Sequence, residues 1–448
     1  IYICIKICGK FMNLEKIFYI VASTVLVTVF VLIVFIFSPV SYDESILQDE
    51  KVIYYAENIS PSLRKIIDGF NEKYKGKIRV ETIDLSFDKF STNERKELLA
   101  RYLRSKSSRI DIFSVDIIWV PRFSRWAMPL NRYIDSSLVE DVVPHFLPTS
   151  FHKDSLVSIP LYADVALMFY RDDLLEKVQD AEEFRKELSS SITWERFIDL
   201  QMKVDAANGR VNKPFYLFQA DVYEGLMCSF TELMSNHKNP MVASEVKLGE
   251  DDELSKKSIK FLVDLVHQNK ISPLEVIKFK EMQSYQYFFE KDAFAVRGWP
   301  GFLSEDNKFF PKEFRGKVKA APLPHLDGSS PAYVFGGWNL MVSKLSSKIQ
   351  EVRIFIEYML SDEIQKFHYE DGNVLPVKKS VYSDATFLKK HPELVFYQKL
   401  FENGIHRPMF ERYTGLSDII VKHINEAIEK NIEPGQVLQK IKNEIGAK

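Results

Sequence analysis

Three regimes of hydrophobic patterning follow one another along the chain. From Ile17 to Phe37 the sequence IFYIVASTVLVTVFVLIVFIF carries no charge, and a helix of that length spans about 30 Å, the hydrocarbon thickness of a bilayer. Short apolar runs then alternate with amphipathic stretches. Lys51 to Ala56 (KVIYYA) predicts a buried strand, and Ser60-Pro61 supplies an N-cap and first-turn proline for a helix through Lys75 that Gly76 ends. Ile78 to Ile83 predicts the next strand, Asn93 to Ser105 the next helix, and Arg109 to Val115 a third strand. This alternation points to an α/β fold with a parallel sheet. Leu156 to Pro160 and Ala166 to Tyr170 predict strands on either side of Leu161 to Asp164. Helical patterns dominate from Asp172 to about Lys291, which opens a second lobe. Strands at Val318 to Ala321 and Trp338 to Val342 follow, then amphipathic helices at Lys348 to Leu360 and Ser417 to Glu429.

Composition narrows the class. A chain of 448 residues exceeds one ordinary core and implies two domains. With 46% hydrophobic residues and only 17 Gly and 19 Pro, disorder is excluded. A net charge of −2 provides no basic field for a nucleic acid. The apolar span is longer than a secretory signal core, and Ser38-Pro39-Val40-Ser41 is a poor cleavage site, so an uncleaved anchor is expected. Lys6, Lys10 and Lys16 precede it, whereas Asp43, Glu44, Asp49 and Glu50 follow it. The positive-inside rule then makes residues 1–16 cytoplasmic, 17–37 a transmembrane anchor and 38–49 a linker. The bulk is exported to the periplasmic or extracellular face of the cytoplasmic membrane. Met12 is a candidate start, with residues 1–11 as upstream read-through. Beyond the span only Cys228 remains, so the exported part has no intrachain disulfide, and no Cys directly follows the span to carry a lipid.

Catalytic devices are missing. The sequence has no Gly-x-Ser-x-Gly, no Gly-x-Gly-x-x-Gly and no P-loop. Ser62-Leu63-Arg64-Lys65 matches Ser-x-x-Lys without its companion motifs, and it sits on a predicted helix, so it reads as chance. The nine histidines are scattered, without metal-ligand spacing. No metal or cofactor is expected. What the chain does offer lies at strand ends, where open α/β sheets bind ligands. Glu57 and Asp116 each follow a predicted strand, with a solvated loop acid as the bland alternative. Tyr162 and Asp164 sit where the chain leaves the first lobe, the place of an interdomain cleft or of an ordinary hinge. Trp299, after Gly298, and Trp338, after Gly336-Gly337, have little backbone bulk around the ring. Rings packing on sugar C–H faces, with carboxylates and Arg fixing hydroxyls, are what carbohydrate recognition needs; the alternative is core packing. Trp119 and Trp194 are assigned to the core, and truncation of Trp338 is expected to leave stability nearly unchanged.

As a set these residues resemble the extracellular solute-binding proteins of carbohydrate ABC transporters, most closely the trehalose/maltose-binding branch. The resemblance covers about Val52 to Ile445. It rests on DIFSVDIIWVPRF (Asp111 to Phe123), IPLYADVALMFYRDDLL (Ile159 to Leu175), TWERF (Thr193 to Phe197) and YEGLMCSFTEL (Tyr223 to Leu233). FFEKDAFAVRGWP (Phe288 to Pro300), KVKAAPLP (Lys317 to Pro324), GGWNLMVSK (Gly336 to Lys344) and GNVLPVKKSVY (Gly372 to Tyr382) continue it in the family's order. It implies the two-lobe periplasmic binding protein fold of type II, acting as a monomer that closes on a sugar and presents it to membrane permease subunits. Residues 50–160 and 319–369 would form one lobe, 161–318 and 370–448 the other. By motif, Asp116, Tyr162, Asp164, Trp299, Gly337, Trp338 and Arg407 carry over as substrate-binding, with Glu57 and Thr92 in less similar surroundings. The chain departs from the family at Asp164-Val165-Ala166, where Asp-Ala-Gly is usual, and in the apolar span that replaces a lipid-bearing Cys. Two other readings stay open: a membrane-tethered sugar sensor, and a glycosidase using two cleft carboxylates about 5 to 10 Å apart.

Overall fold

The computed structural model describes residues 14–37, 50–86, 92–105, 109–235, 252–303 and 310–446. It divides into two units, 1–49 and 50–448. The first contains one helix, α1 (Leu14–Phe37). Its described side chains, 18–32, are exposed except at Ala22. Among the described residues no helix is long and apolar enough to cross a membrane. The anchor expected at 17–37 is therefore not established, and the expected linker 38–49 lies outside the described residues.

The second unit begins as the hydrophobic pattern predicts. Strand β1 (Lys51–Glu57) leads to helix α2 (Pro61–Lys73), whose cap Ser60 accepts the Leu63 N–H at 3.1 Å. Strand β2 (Ile78–Asp84), helix α3 (Thr92–Arg104) and strand β3 (Ile112–Asp116) follow. The chain continues through β4 (Ile159–Val165), β5 (Leu167–Arg171), α4 (Trp194–Asn208), β6 (Tyr216–Leu217), α5 (Glu224–Ser235), α6 (Asp252–His267) and α7 (Glu281–Glu290). It closes with β7 (Ala295–Gly298), β8 (Val318–Ala321), β9 (Tyr333–Val342), α8 (Ile349–Met359), α9 (Asp362–Gly372), β10 (Gly404–Ile405), α10 (Tyr413–Lys430) and α11 (Pro434–Gly446).

Two sheets define the lobes. The six-stranded sheet runs β10-β9-β3-β1-β2, with β4 also paired to β9. Its β1, β2 and β3 are mutually parallel, as the alternation implies, while β9 runs antiparallel to β3 and β4. The four-stranded sheet runs β8-β5-β7-β6. In the first lobe, Phe70 of α2 packs edge-on to Phe355 of α8 at 5.0 Å, over β1. In the second, α10 and α11 pack on α5 and α6.

Strand pairing moves all three expected crossings. Leu161 to Asp164 is not a link between strands but the middle of β4, and the first crossing falls at Ala166. Pro160 disguised the strand; it pairs with Asn339 beside a bulge in its own strand at Leu161, where a missing N–H is tolerated. Lys319 belongs to β8 in the second sheet, so the second crossing lies between Ala321 and Tyr333. Residues 370–405 stay with the first lobe: Val143 N–H donates to Val377 O at 2.8 Å, and β10 pairs with β9. The third crossing is thus 406–412, just before α10.

Trp194 opens α4 beneath the second sheet, with ring partners Tyr216 at 5.2 Å and Phe261 at 5.1 Å, and it lines a cavity of about 20 Å³. Trp194→Ala should enlarge that void and cost about 3–5 kcal/mol. Denaturant unfolding checks this, and a loss under about 1 kcal/mol would show that the site collapses around the missing ring.

Candidate functional site

The site is built around β9, whose ten residues are all buried. Trp338 lies opposite Asp116 of β3 on one side and Tyr162 of β4 on the other, and Gly336 lies opposite Asp164. Gly337 has φ +120°, and a methyl group there would come within 2.6 Å of the Tyr162 carbonyl oxygen. Only glycine fits. A methyl at position 336 would stand 3.1 Å from both Asp164 Cβ and Trp299 Cζ3. The small pair therefore lets the Trp299 ring, from the end of β7 in the second lobe, rest on the first lobe's strand.

Charged groups surround this contact in pairs. Glu57, at the end of β1 and 1% exposed, accepts from Arg95 Nη2 at 2.8 Å, and its second oxygen has no partner among the described residues. Arg95 stacks 4.3 Å above the Trp338 ring. Arg407, in the third crossing, donates from Nη2 to Asp116 at 2.9 and 3.2 Å and from Nη1 to Glu224 at 2.9 Å. In the second lobe Arg297 binds both oxygens of Glu232, at 3.0 and 2.6 Å, and lies 4.9 Å over Trp299. The Trp299 indole N–H points to Glu281 at 3.4 Å.

The structure thus gathers Glu57, Asp116, Tyr162, Asp164, Gly337, Trp338 and Arg407 around one strand, with Trp299 meeting them from the other lobe. Thr92 begins α3, and its side chain lies outside the described residues. Arg95, Glu224, Glu232 and Glu281 receive no role in the sequence reading: each belongs to a helix, Glu224 and Glu281 at its first residue, where an acid or base ordinarily marks a solvated position. The expectation that Trp338 could be truncated without a void fails. It is 8% exposed, close to the 6% of Trp194, with Trp119 against it edge-on and Arg95 over its face. Trp299, by contrast, is only partly buried.

With this geometry in view, comparison with known proteins is decisive for the family. The model of the bacterial extracellular solute-binding proteins matches residues 56–366. The chain belongs to that family. A probable ABC transporter-binding protein of Deinococcus radiodurans is 24% identical over 388 residues, spanning 84% of this chain and 90% of its own. The structure of maltose-bound MalE3 of T. maritima is similar with a TM-score of 0.77 and 25% identity, covering 88% of this solute-binding protein and 99% of that chain. The GacH receptor of Streptomyces glaucescens, studied with acarbose, shares the fold at a TM-score of 0.74 and 17% identity, over 89% of this chain and 98% of its own. The two-lobe architecture is that of these receptors.

Asp164 gives the site a pH dependence. Burial, then the nearby Asp116 carboxylate, push its carboxyl up to about 8, against about 3.9 for an ordinary Asp. The folded state then holds a proton that the unfolded chain releases, so stability from this group is full below about pH 4 and is lost as pH rises through about 8. Against Asp164→Asn, the native protein should lose up to about 1.4 kcal/mol per pH unit within that window. Denaturant midpoints of the two proteins at several pH values measure the difference, and parallel profiles would show an ordinary carboxylate.

Proposed function

We propose that this solute-binding protein is the capture component of a carbohydrate ABC transporter, closing its lobes on a di- or oligosaccharide and delivering it to membrane permease subunits. The observation that carries the reading is the meeting of Trp299 with Gly336 and Asp164 across the lobes, amid buried carboxylates and guanidiniums. Glu57 Oε2 and Arg407 Nε, both buried without partners among the described residues, provide an acceptor and a donor for sugar hydroxyls. Arg95, Arg297 and Arg407 each already bond a carboxylate, which favours a neutral solute over an anionic one. The maltose bound to the T. maritima protein and the acarbose bound to the GacH receptor support the same class. No group in this arrangement is assigned a covalent step, and the protein acts as a receptor.

The test is calorimetric titration with maltose, trehalose and longer glucans. A binding sugar at a hundred times its dissociation constant should add about 2.7 kcal/mol of stability. Trp299→Ala should weaken that sugar about a hundredfold while the fold persists. A Trp299→Ala protein with native affinity would refute the site, and the release of reducing ends from the sugar would refute the receptor reading.

Residues 17–37 are proposed to anchor the protein with its bulk outside. The uncharged side chains of 18–32 are apolar or small and nearly all exposed, a surface costly in water and stable in lipid. Membranes carrying the full chain should retain it through a carbonate wash; its release into the supernatant would rule out the anchor.

A further inference from the structure

Glu224 falls within the YEGLMCSFTEL motif but receives no role in the sequence reading, yet it lies at the junction of the two lobes. It opens α5 in the second lobe and is 5% exposed. Its Oε2 accepts from Arg407 Nη1 and from Tyr413 OH, each at 2.9 Å, and its Oε1 accepts from Ser417 Oγ at 2.5 Å. All three donors lie within 407–417, the third crossing and the first turns of α10. Glu224 therefore ties the crossing segment to the second lobe. The remaining terminal nitrogen of the same guanidinium reaches Asp116, at the end of β3 in the first lobe.

We propose that Glu224 is a positioning residue for lobe closure: it fixes Arg407 on the second lobe so that the Arg407–Asp116 pair forms as a latch when the lobes meet. On the second-lobe side one bond joins the guanidinium to Glu224, whose carboxylate is itself tied to α10 by Tyr413 and Ser417, whereas on the far side Asp116 receives it with no such tether to α10. Separation of the lobes then breaks the Asp116 contact and leaves the Glu224 contacts whole. Glu224 itself need not touch the solute. The assignment of a sugar as the solute rests on the function proposed above; the latch does not.

The experiment compares the native protein with Glu224→Ala, Glu224→Gln and Tyr413→Phe. Small-angle scattering without ligand reads closure directly, and the alanine variant should shift to a larger radius of gyration, the glutamine and phenylalanine variants less. Stopped-flow binding of whichever sugar the calorimetry identifies should show at least tenfold faster dissociation for Glu224→Ala with association little changed. A merely structural Glu224 would lower the melting temperature and leave the radius and the dissociation rate of the folded fraction as in the native protein, which overturns the proposal. Should Glu224→Ala fail to fold, Tyr413→Phe keeps the carboxylate and removes one tether, and native values for its radius and dissociation rate overturn the proposal equally. Should no sugar bind the native protein, the transport reading fails while the scattering arm still decides the latch.

Discussion

The arrangement depends on a guanidinium held between carboxylates that belong to different lobes. Arg407 is 2% exposed, and removing one partner from such a buried pair costs about 3–5 kcal/mol because a charge is left without compensation. Asp116 and Glu224 lie far apart in sequence, on β3 and α5, so the pairing acts on how the two lobes meet. Burial holds the Asp116 carboxyl above its ordinary range, while Arg407 opposes that effect and Glu224 adds to it. The third crossing passes through this point, which makes the relation between lobes electrostatic as well as steric.

Much of the fold was legible because local chemistry and hydrophobic period agreed. Ser60-Pro61 starts α2 as its capping geometry demands, and KVIYYA, IRVETI and VKAA are strands where the apolar runs place them. The misread elements have specific causes. The β4 residues IPLYADV follow a period of two, with Tyr162 and Asp164 partly exposed between buried neighbours, but a proline and an acid within one short strand imitate a link. Lobe membership of residues 370–405 depends on long-range partners: Asp141 and Val143 hold Lys379, Ser380 and Val377. No local pattern encodes such contacts.

The candidate site was legible in its residue types and less so in its partnerships. Glycines beside Trp299 and Trp338 read as leaving little backbone bulk around each ring, and a sequence does not tell which ring is sealed. Trp338 is closed in by Trp119 and Arg95, whereas Trp299 rests on Gly336 with its edge toward Glu281. Arg95, Glu224 and Glu232 lie on helices whose surfaces look solvated when read one residue at a time. They reach Trp338, Val334 and Arg407 only because α3 and α5 turn those positions toward β9 and the crossing.

The departure from the family at Asp164-Val165-Ala166 acquires a location. Val165 and Ala166 are fully buried, and the Ala166 N–H donates to the Val334 carbonyl at 2.9 Å. Ala166 is the single residue between β4 and β5, where the chain passes from one sheet to the other. Its backbone is outside the positive-φ region, so an alanine is accommodated there without strain and restricts the unfolded chain more than glycine would. The methyl group also narrows the conformations open to the crossing itself. The alanine therefore sits where the chain passes between the two sheets, while Asp164, one strand position from Val165, lies opposite Gly336.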